Sequence, residues 1–334
     1  MPRVSIVIPV YNGANYLREA IDSALAQTLP HADAAIEIIV VNDGSRDGGA
    51  TAEIARSYGE RIRYIEKENG GVSSALNRGI AAMRGQWFCW LSHDDRYLPQ
   101  KTATQLAFLE QNPDVRVAGC NLQKIDARGN VTGENHEHLS IVRNGGDVLT
   151  SWIYGCGLMI DRSVLDTAGP FNEANRTTQD LEMWLRIVEY HPIHLMPEIL
   201  TQFRVHEEAG SRTESRYQQD KDDLFTRMMA RYDATFFDPG ALTARRRAAA
   251  WWLLARNALS RDAWGGARLA TERAWAEDRS LRNPALIAHF LGPRTTVRWW
   301  AVHRFVVRTA RRTMRRLLPD TLVAWLRARR HSPQ

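Results

Sequence analysis

The sequence predicts an α/β fold in which helices cover both faces of a mostly parallel sheet and a helical region follows at the C-terminal end. Two observations indicate this fold. Short apolar runs alternate with amphipathic helical patterns through the first two thirds of the chain, and strands that are apolar along their whole length are typical of parallel sheets buried on both faces. From residue 224 onward the composition favours helices. We therefore expect two parts, residues 1–215 and residues 216–334.

The individual elements follow from the spacing of apolar residues and from the turn residues between them. Short apolar runs predict the first four strands at 4–10, 37–41, 62–65 and 87–91. Helical spacing and helix-start signals predict helices at 15–27 and from 69 through 83. Later elements are strands at 115–126, 157–161 and 193–206 and a helix at 178–190. The polar segment 207–223 predicts a mobile loop or linker.

Length and composition restrict the class of protein. The 334 residues are 44% hydrophobic and 25% charged, which is typical of a soluble globular chain of roughly two domains. The apolar runs fall far short of the ~18 residues that span a bilayer, and no secretory leader pattern opens the sequence. Three widely spaced cysteines form neither a disulfide framework nor a zinc motif. We expect a cytoplasmic protein, neither secreted nor transmembrane.

The net charge of +6 hides an uneven distribution. Residues 241–334 contain 20 Arg, no Lys and 5 acidic residues, a net charge of +15, and 7 of the 11 Trp. Residues 1–240 contain 24 basic and 33 acidic residues, a net charge of −9. A mildly acidic body therefore carries an arginine-rich and tryptophan-rich tail, which suggests different partners for the two parts.

Acidic residues follow two of the predicted strands. Asp94 and Asp95 come after the fourth strand, and Asn42 and Asp43 after the second. Ligands of open α/β sheets bind at the carboxyl ends of strands, and adjacent carboxylates supply oxygen ligands for Mg²⁺ or Mn²⁺, which complete their coordination with substrate phosphates. The alternatives are a solvated acidic loop at the first place and a helix cap with a turn at the second.

Three further segments contain candidate functional residues, but their sequence patterns are less specific. Asn69, Gly70 and Gly71 open a helix whose N-terminus favours anions, but a plain turn before a helix is the more common explanation of such a segment and the sequence has no P-loop. Asp180 lies in the first turn of a helix, either as a general base or only for its favourable interaction with the helix dipole. His206 ends an extended segment, as a metal or phosphate contact or as a structural residue.

Taken in order, these segments resemble a known family. They read VSIVIPVYN, EIIVVNDGS, NGGVSSALNRGI with GQWFCWLSHDD, QDLEMWLR and FRVH. The set resembles the family 2 glycosyltransferases of the GT-A fold, which are inverting enzymes that use nucleotide-sugar donors. The resemblance covers about residues 3–210.

The resemblance implies a role for each matching residue. The implied donor-binding residues are Pro9, Val10, Tyr11, Asp43, Gly71, Ser74, Asn77, His93 and Asp94. The implied ligands of a Mg²⁺ or Mn²⁺ cofactor are Asp94, Asp95 and His206, the implied catalytic base is Asp180, and the implied acceptor contacts are Gln179 and Trp184. The chain departs from the family pattern at Ser92, where many members have an acid, and at Gln179, where many have Glu.

The implied activity is transfer of a sugar from a UDP-linked donor to the hydroxyl of a glycan or lipid-linked acceptor, in the synthesis of surface polysaccharides or glycoconjugates. Two alternatives stay open. One is nucleotidyl transfer, which uses a related sheet. The other is a non-catalytic adaptor whose working part is the basic tail, and the missing acid at Ser92 gives it some weight.

Residues 294–316 contain eight arginines, and the spacing predicts a basic amphipathic helix over 299–317. Such a helix suits peripheral binding to an anionic membrane, here the inner face of the cell membrane. The alternatives are packing on its own domain and a homodimer contact. Nucleic-acid binding is not expected, because no recognition motif is present and residues 1–240 are acidic.

Overall fold

The computed structural model describes residues 3–30, 35–137, 140–207 and 217–278. Within them, ten strands form one sheet and eleven α-helices connect or cover it. The strands are β1 Val4–Val10, β2 Ile36–Asn42, β3 Arg63–Glu66, β4 Trp87–Trp90, β5 Arg96–Tyr97, β6 Val117–Ile125, β7 Val131–Asn135, β8 Ile141–Val142, β9 Met159–Asp161 and β10 Ile193–Arg204. The helices are α1 Leu17–Leu25, α2 Ala50–Arg56, α3 Val72–Ala82, α4 Lys101–Gln111, α5 Gly145–Thr150, α6 Arg162–Ala168, α7 Gln179–Ile187, α8 Tyr217–Arg231, α9 Ala234–Phe237, α10 Ala244–Ser260 and α11 Trp264–Glu277.

The strand order is β3-β2-β1-β4-β9-β6-β10-β5, with β7 paired to β6 and β8 to β10. The strands from β3 to β4 are parallel to one another, and so are β6 and β10. The short strand β9 is antiparallel to both of its neighbours, and β5, β7 and β8 add further antiparallel pairs. The α/β prediction is confirmed, but the sheet is mixed rather than mostly parallel, because β9 separates two parallel blocks.

The centre of the sheet is β1, and its sequence explains its place. All seven of its residues are buried, since parallel strands lie on both sides and helices α1 and α3 pack on it. Full burial of each Val or Ile side chain is worth about 1.5–3 kcal/mol. The last residue of β1 that pairs with β4 is Val7, whereas pairing with β2 continues to Val10. The end of β1 therefore borders the turn that follows β4.

The C-terminal helices pack on one another and on α5. Helix α10 lies against α11, α11 against α8, and α9 and α10 contact α5. The side-chain amide of Asn257 donates a 2.8 Å hydrogen bond to the Leu149 carbonyl at the end of α5, and Trp251 and Trp252 of α10 are buried. The predicted helical C-terminal region is confirmed in residues 217–278.

Other predictions are corrected or fall outside the described chain. The predicted loop 207–223 is wrong in its second half, because α8 begins at Tyr217. The basic helix predicted for 299–317 lies outside the described residues. The division into 1–215 and 216–334 stays a prediction, and apolar residues of both parts belong to one buried cluster. None of the helices in the described ranges combines the length and the apolar character needed to cross a membrane.

Candidate functional site

Asp43 lies at the carboxyl end of β2, where it organises a glycine-containing loop. Its carboxylate is buried; Oδ1 accepts hydrogen bonds from Lys67 Nζ at 2.7 Å and from the Gly70 N–H at 3.0 Å, and Oδ2 accepts one from the Gly71 N–H at 2.7 Å. Gly71 has a φ of +88°, in the left-handed region that favours glycine. Asp43 thus holds the start of α3 against β2. Its predicted contact with the nucleotide stays a prediction.

The end of β1 lies beside this loop. The Val10 carbonyl accepts a 2.8 Å hydrogen bond from the Asp43 N–H, so the two strand ends are joined. Pro9 and the Val10 side chain are buried, whereas Tyr11 is 43% exposed just beyond the strand. Of these three predicted donor-binding residues, the Tyr11 side chain is the one that faces solvent.

The first turns of α3 contain two predicted donor-binding residues with different surroundings. Ser74 is half-buried beside the glycine loop: a Cβ added to Gly70 would lie 2.7 Å from Ser74 Oγ. The Asn77 amide instead donates to the Phe171 carbonyl at 2.9 Å and accepts from the Phe171 N–H at 2.8 Å. Asn77 therefore anchors the loop that leads to α7, and its predicted place on the nucleotide side of the cleft stays a prediction.

Asp94 and His206 form a pair at the carboxyl end of β4. Asp94 Oδ2 lies 2.9 Å from His206 Nε2, and the Asp94 side chain is 19% exposed. Burial alone would raise the pKa of Asp94, but the hydrogen bond with His206 and the charge of His93 hold that pKa below its usual value. The His93 ring lies against the turn after β1, since a Cβ on Gly13 would fall 2.5 Å from its Cδ2. This geometry joins the ends of β1, β4 and β10.

Asp95 differs from its neighbour, because its side chain points into the protein. It is 1% exposed. Its Oδ1 accepts a 2.9 Å hydrogen bond from the Arg204 N–H, and its Oδ2 accepts from the Tyr154 hydroxyl and the Cys156 thiol. Burial and the charge of Asp94 raise the pKa of Asp95 well above its usual value. These contacts do not support its assignment as a metal ligand; Asp95 ties β10 and the segment around Tyr154 to the end of β4.

Arg204 is a site residue that the sequence did not single out, although it belongs to the FRVH segment. Its buried guanidinium donates to the Asp94 carbonyl from Nε at 2.8 Å and to Glu19 Oε2 at 2.7 Å, and it lies 4.4 Å from the centre of the Tyr16 ring. The planar fork of donors on an arginine suits such fixed contacts better than the flexible ammonium of lysine. Arg204 therefore positions the main chain of Asp94 and, two residues further on, His206.

The ligand atoms that Asp94 and His206 offer at the end of β4 fit a divalent cation that takes its other ligands from elsewhere. Mg²⁺ and Mn²⁺ accept carboxylate oxygen, and Mg²⁺ is commonly held by one or two carboxylates plus substrate phosphates. Asp94 supplies one carboxylate, and His206 Nδ1 is buried without a hydrogen-bond partner in the described chain. Ser92 supplies no acid: its hydroxyl lies 3.3 Å from the Cys156 sulfur. The described ranges contain no cluster of three or more acidic, His or Cys residues with metal-binding geometry.

Asp180 is half-buried in the first turn of α7. Burial raises its pKa above the usual value; the Leu181 N–H, which donates to Oδ1 at 2.7 Å, and the charge of Arg261 lower it, but not enough to cancel the effect of burial. Arg261 follows α10 and comes from the C-terminal helices. No sequence signal links it to Asp180, because more than eighty residues separate them.

The two predicted acceptor contacts beside Asp180 are buried. Trp184 is 2% exposed, and its ring packs edge to face on Phe171 at 6.5 Å. Gln179 is 8% exposed. Trp184 thus belongs to the core under α7, which corrects its assignment to the acceptor side, and the side chain of Gln179 offers little surface to a ligand.

Packing brings α7 to the end of β4. Phe171 lies 6.1 Å from Trp90 of β4 and 6.5 Å from Trp184 of α7. A Cβ on Gly155 would fall 2.7 Å from the Trp90 ring and 3.5 Å from the Trp184 ring, so only glycine fits between them. The helix that carries Asp180 therefore packs beside the strand that leads to Asp94.

Comparisons with known proteins agree with this fold. The model of the family "Glycosyl transferase family 2" matches residues 5–167. An uncharacterized glycosyltransferase of Rickettsia felis is 45% identical over 236 residues, which are 67% of this chain and 38% of that protein. The glycosyltransferase TuaG of Bacillus subtilis, whose name refers to teichuronic acid biosynthesis, is 32% identical over 213 residues, 61% of this chain and 79% of that protein.

Among solved structures, S. aureus TarS 1-349 in complex with UDP-GlcNAc superposes with a TM-score of 0.57 at 15% sequence identity, covering 87% of this chain and 92% of that one. This likeness confirms the GT-A fold. The chain belongs to glycosyl transferase family 2. It spans about two fifths of the length of the Rickettsia felis relative.

Proposed function

We propose that the protein is a glycosyltransferase that moves a sugar from a nucleoside diphosphate donor, UDP-linked, to an acceptor hydroxyl with inversion at the anomeric carbon. The observation that carries this proposal is the Asp94–His206 pair, 2.9 Å apart at the end of β4, beside a helix whose first turn carries Asp180.

The donor is proposed to lie over the ends of β1 and β2. Tyr11 offers an exposed ring for the base, and the loop held by Asp43 presents the N-terminus of α3. Main-chain N–H groups at the start of a helix favour a phosphate. The Lys67 ammonium, 2.7 Å from the Asp43 carboxylate, adds positive charge at this place. TarS, the structural neighbour named above, binds UDP-GlcNAc, which supports UDP as the first nucleotide to test.

Departure of the nucleoside diphosphate is the step that needs positive charge. Asp94 and His206 would hold a Mg²⁺ or Mn²⁺ ion, which supplies neutralisation of the charge that develops on the leaving diphosphate. Arg204 holds the main chain of Asp94 in place. The low pKa of Asp94 keeps its carboxylate ionised at neutral pH, as a ligand for a cation requires.

The acceptor alcohol needs a base on the opposite face of the sugar. Asp180 is proposed to remove the proton from that hydroxyl as the oxygen attacks the anomeric carbon. The proton passes to the carboxylate, the new glycosidic bond forms, and the bond to the diphosphate oxygen breaks. A carboxylate whose pKa is raised by burial is a stronger base than one in water, which suits this role.

The acceptor is proposed to be a glycan or a lipid-linked saccharide in the synthesis of a surface polysaccharide. The support is the 32% identity to TuaG and the membership of family 2.

The experiment that tests this function is calorimetric titration with UDP in the presence and absence of Mn²⁺, followed by a screen of UDP-sugars for release of UDP. We expect metal-dependent binding of UDP and release from one or a few donors. If neither UDP nor any other nucleoside diphosphate binds with or without metal, the proposal is wrong and the non-catalytic alternative is favoured.

The pH dependence of turnover tests the base. Since the pKa of Asp180 is raised and the ionised form is the active one, turnover falls as the pH is lowered through that raised pKa. The charge of Arg261 lowers this pKa. Arg261→Met is therefore expected to move the acid limb of the kcat profile to higher pH.

Arg261→Lys is the matched control, because it keeps the charge while changing the guanidinium that donates to the Leu149 carbonyl. Its acid limb is expected to stay near that of the wild type. If the acid limb lies at the same pH in the wild type, Arg261→Met and Arg261→Lys, then Arg261 does not influence the titration of the base.

Peripheral attachment to the inner face of the cell membrane is proposed from the sequence of residues 294–316, whose eight arginines each gain up to about 1 kcal/mol near an anionic leaflet. We expect the chain to co-sediment with phosphatidylglycerol-containing liposomes at low salt and to be released at high salt. Equal recovery with neutral and anionic liposomes would favour the alternatives, intramolecular packing or a homodimer contact.

A further inference from the structure

Trp152 is an exposed aromatic residue close to the site that the proposed reaction has not used. Its side chain is 44% exposed, although indole rings are among the side chains most often buried at least in part. Its main-chain N–H donates a 2.6 Å hydrogen bond to Glu137 Oε2, which fixes the segment at this point. An exposed, fixed indole next to a reaction centre calls for a ligand-binding explanation.

The ring of Trp152 belongs to a row of aromatic side chains that leads to the metal-binding end of β4. Trp152 packs edge to face on Phe203 at 6.4 Å, and Phe203 packs edge to face on Tyr154 at 5.1 Å. The Tyr154 hydroxyl donates to Asp95, the neighbour of Asp94. The next residue, Gly155, lies between the rings of Trp90 and Trp184. The segment from 152 to 155 therefore runs between the Asp94 end of β4 and helix α7.

The order of the strands places Trp152 on the side away from the donor loop. Asp43 follows β2 and Asp94 follows β4. The Trp152 ring packs on Phe203 of β10, which lies beyond β4 in the strand order. The proposed nucleotide site and Trp152 thus lie on opposite sides of Asp94. A group that attacks the anomeric carbon opposite the diphosphate has to come from the Trp152 side.

The chemistry of this surface suits a sugar ring. The Lys124 ammonium lies over one face of the Trp152 ring, 4.9 Å from its centre, and carries three N–H donors. A pyranose has a flat face of C–H groups that packs on an aromatic ring and a rim of hydroxyls that accept from such donors, and binding sites combine an apolar wall with a few placed polar groups in this way.

We propose that Trp152, with the Lys124 ammonium over one face of its ring, is the platform on whose other face a pyranose of the acceptor stacks while its hydroxyl faces Asp180. The inference rests on the proposed function, which it deepens by assigning the acceptor side. Because Trp152 is far from Asp43 along the sheet, the platform is a site for the acceptor and not for the donor sugar.

Saturation-transfer difference NMR on the full chain tests this platform, with methyl β-glucoside, methyl N-acetyl-β-glucosaminide and methyl β-glucuronide as the probes. We expect at least one glycoside to receive saturation at its ring C–H protons from the wild type and from Trp152→Phe. With Trp152→Ala, we expect the saturation-transfer signal to fall about fivefold or more, because one aromatic contact is lost. Tyr190→Ala removes another exposed aromatic, 59% exposed and located after α7, and is expected to behave as the wild type.

Two outcomes would overturn the platform: equal signal in Trp152→Ala and wild type, or no signal from any of the three glycosides with the wild type. The thermal midpoint of each variant separates loss of the contact from loss of the fold. UDP titration of the same preparations separates this inference from the proposed function. UDP binding without glycoside contact contradicts the platform alone, whereas glycoside contact without binding of UDP or of any other nucleoside diphosphate contradicts the transferase.

Discussion

Replacing Asp180 with Asn is expected to lower the turnover of the donor by ~10²–10⁴-fold, the usual contribution of a positioned general base. The amide has the size of the carboxylate and keeps an oxygen that can accept from the Leu181 N–H, so α7 is expected to keep its start. The fold and the binding of UDP are expected to be unchanged. The measurements are kcat for UDP release and the dissociation constant for UDP by calorimetry.

Asp166→Asn is the matched control, because Asp166 is an exposed acid on α6. It is expected to retain the wild-type kcat. Near-wild-type turnover in Asp180→Asn would remove Asp180 from the role of base, and a large loss of UDP affinity in that variant would place it on the donor side instead.

The second large effect is expected at Asp94, and it distinguishes this residue from Asp95. Asp94→Asn removes the carboxylate that would hold the cation, and loss of one electrostatic contact to a leaving group typically costs ~10²–10³ in kcat. Asp95→Asn is expected to keep most of the activity, since burial favours the neutral form of Asp95 already and the amide oxygen can still accept from the Arg204 N–H. Both variants are compared by Mn²⁺-dependent UDP binding and by kcat.

One result would contradict the proposed difference between Asp94 and Asp95. If Asp95→Asn loses Mn²⁺ dependence as completely as Asp94→Asn does, the charge of Asp95 is required and the assignment by family resemblance is right for both residues. A folded Asp94→Asn variant with wild-type metal dependence would remove Asp94 from the cation site.

The sequence predicts the positions of the chemical groups better than their orientations. Asp43, Asp94 and Asp180 stand at ends of elements that the apolar pattern reveals, and the structure has them there. The opposite orientations of Asp94 and Asp95 cannot be read from the sequence. They depend on tertiary structure: β5 begins at Arg96, directly after Asp95, and the Tyr154 hydroxyl from a distant segment donates to the Asp95 carboxylate.

The features of the site that the sequence does not predict depend on contacts between segments that are distant in the chain. Arg261 affects the pKa of Asp180 only because α10 packs on α5, and Lys67 meets Asp43 only because β2 and β3 pair. The family resemblance implies an acceptor contact for Trp184, yet packing on Phe171 buries its side chain. The sequence does not predict the mixed sheet for a similar reason, since β9 has only three residues and its direction depends on its partners.

The charge of Arg261 lowers the pKa of Asp180 from a later part of the chain, and this bears on the order in which the site is completed during synthesis. A ribosome releases Asp94 and Asp180 well before residues 244–277, which form α10 and α11. Until those helices dock on α5, the Asp180 carboxyl lacks the nearby cation that favours its ionised state. A chain that ends before residue 261 therefore lacks the effect of Arg261 that lowers the pKa of Asp180, so on the proposed mechanism its acid limb of turnover is expected at higher pH than that of a chain with the complete C-terminal helices.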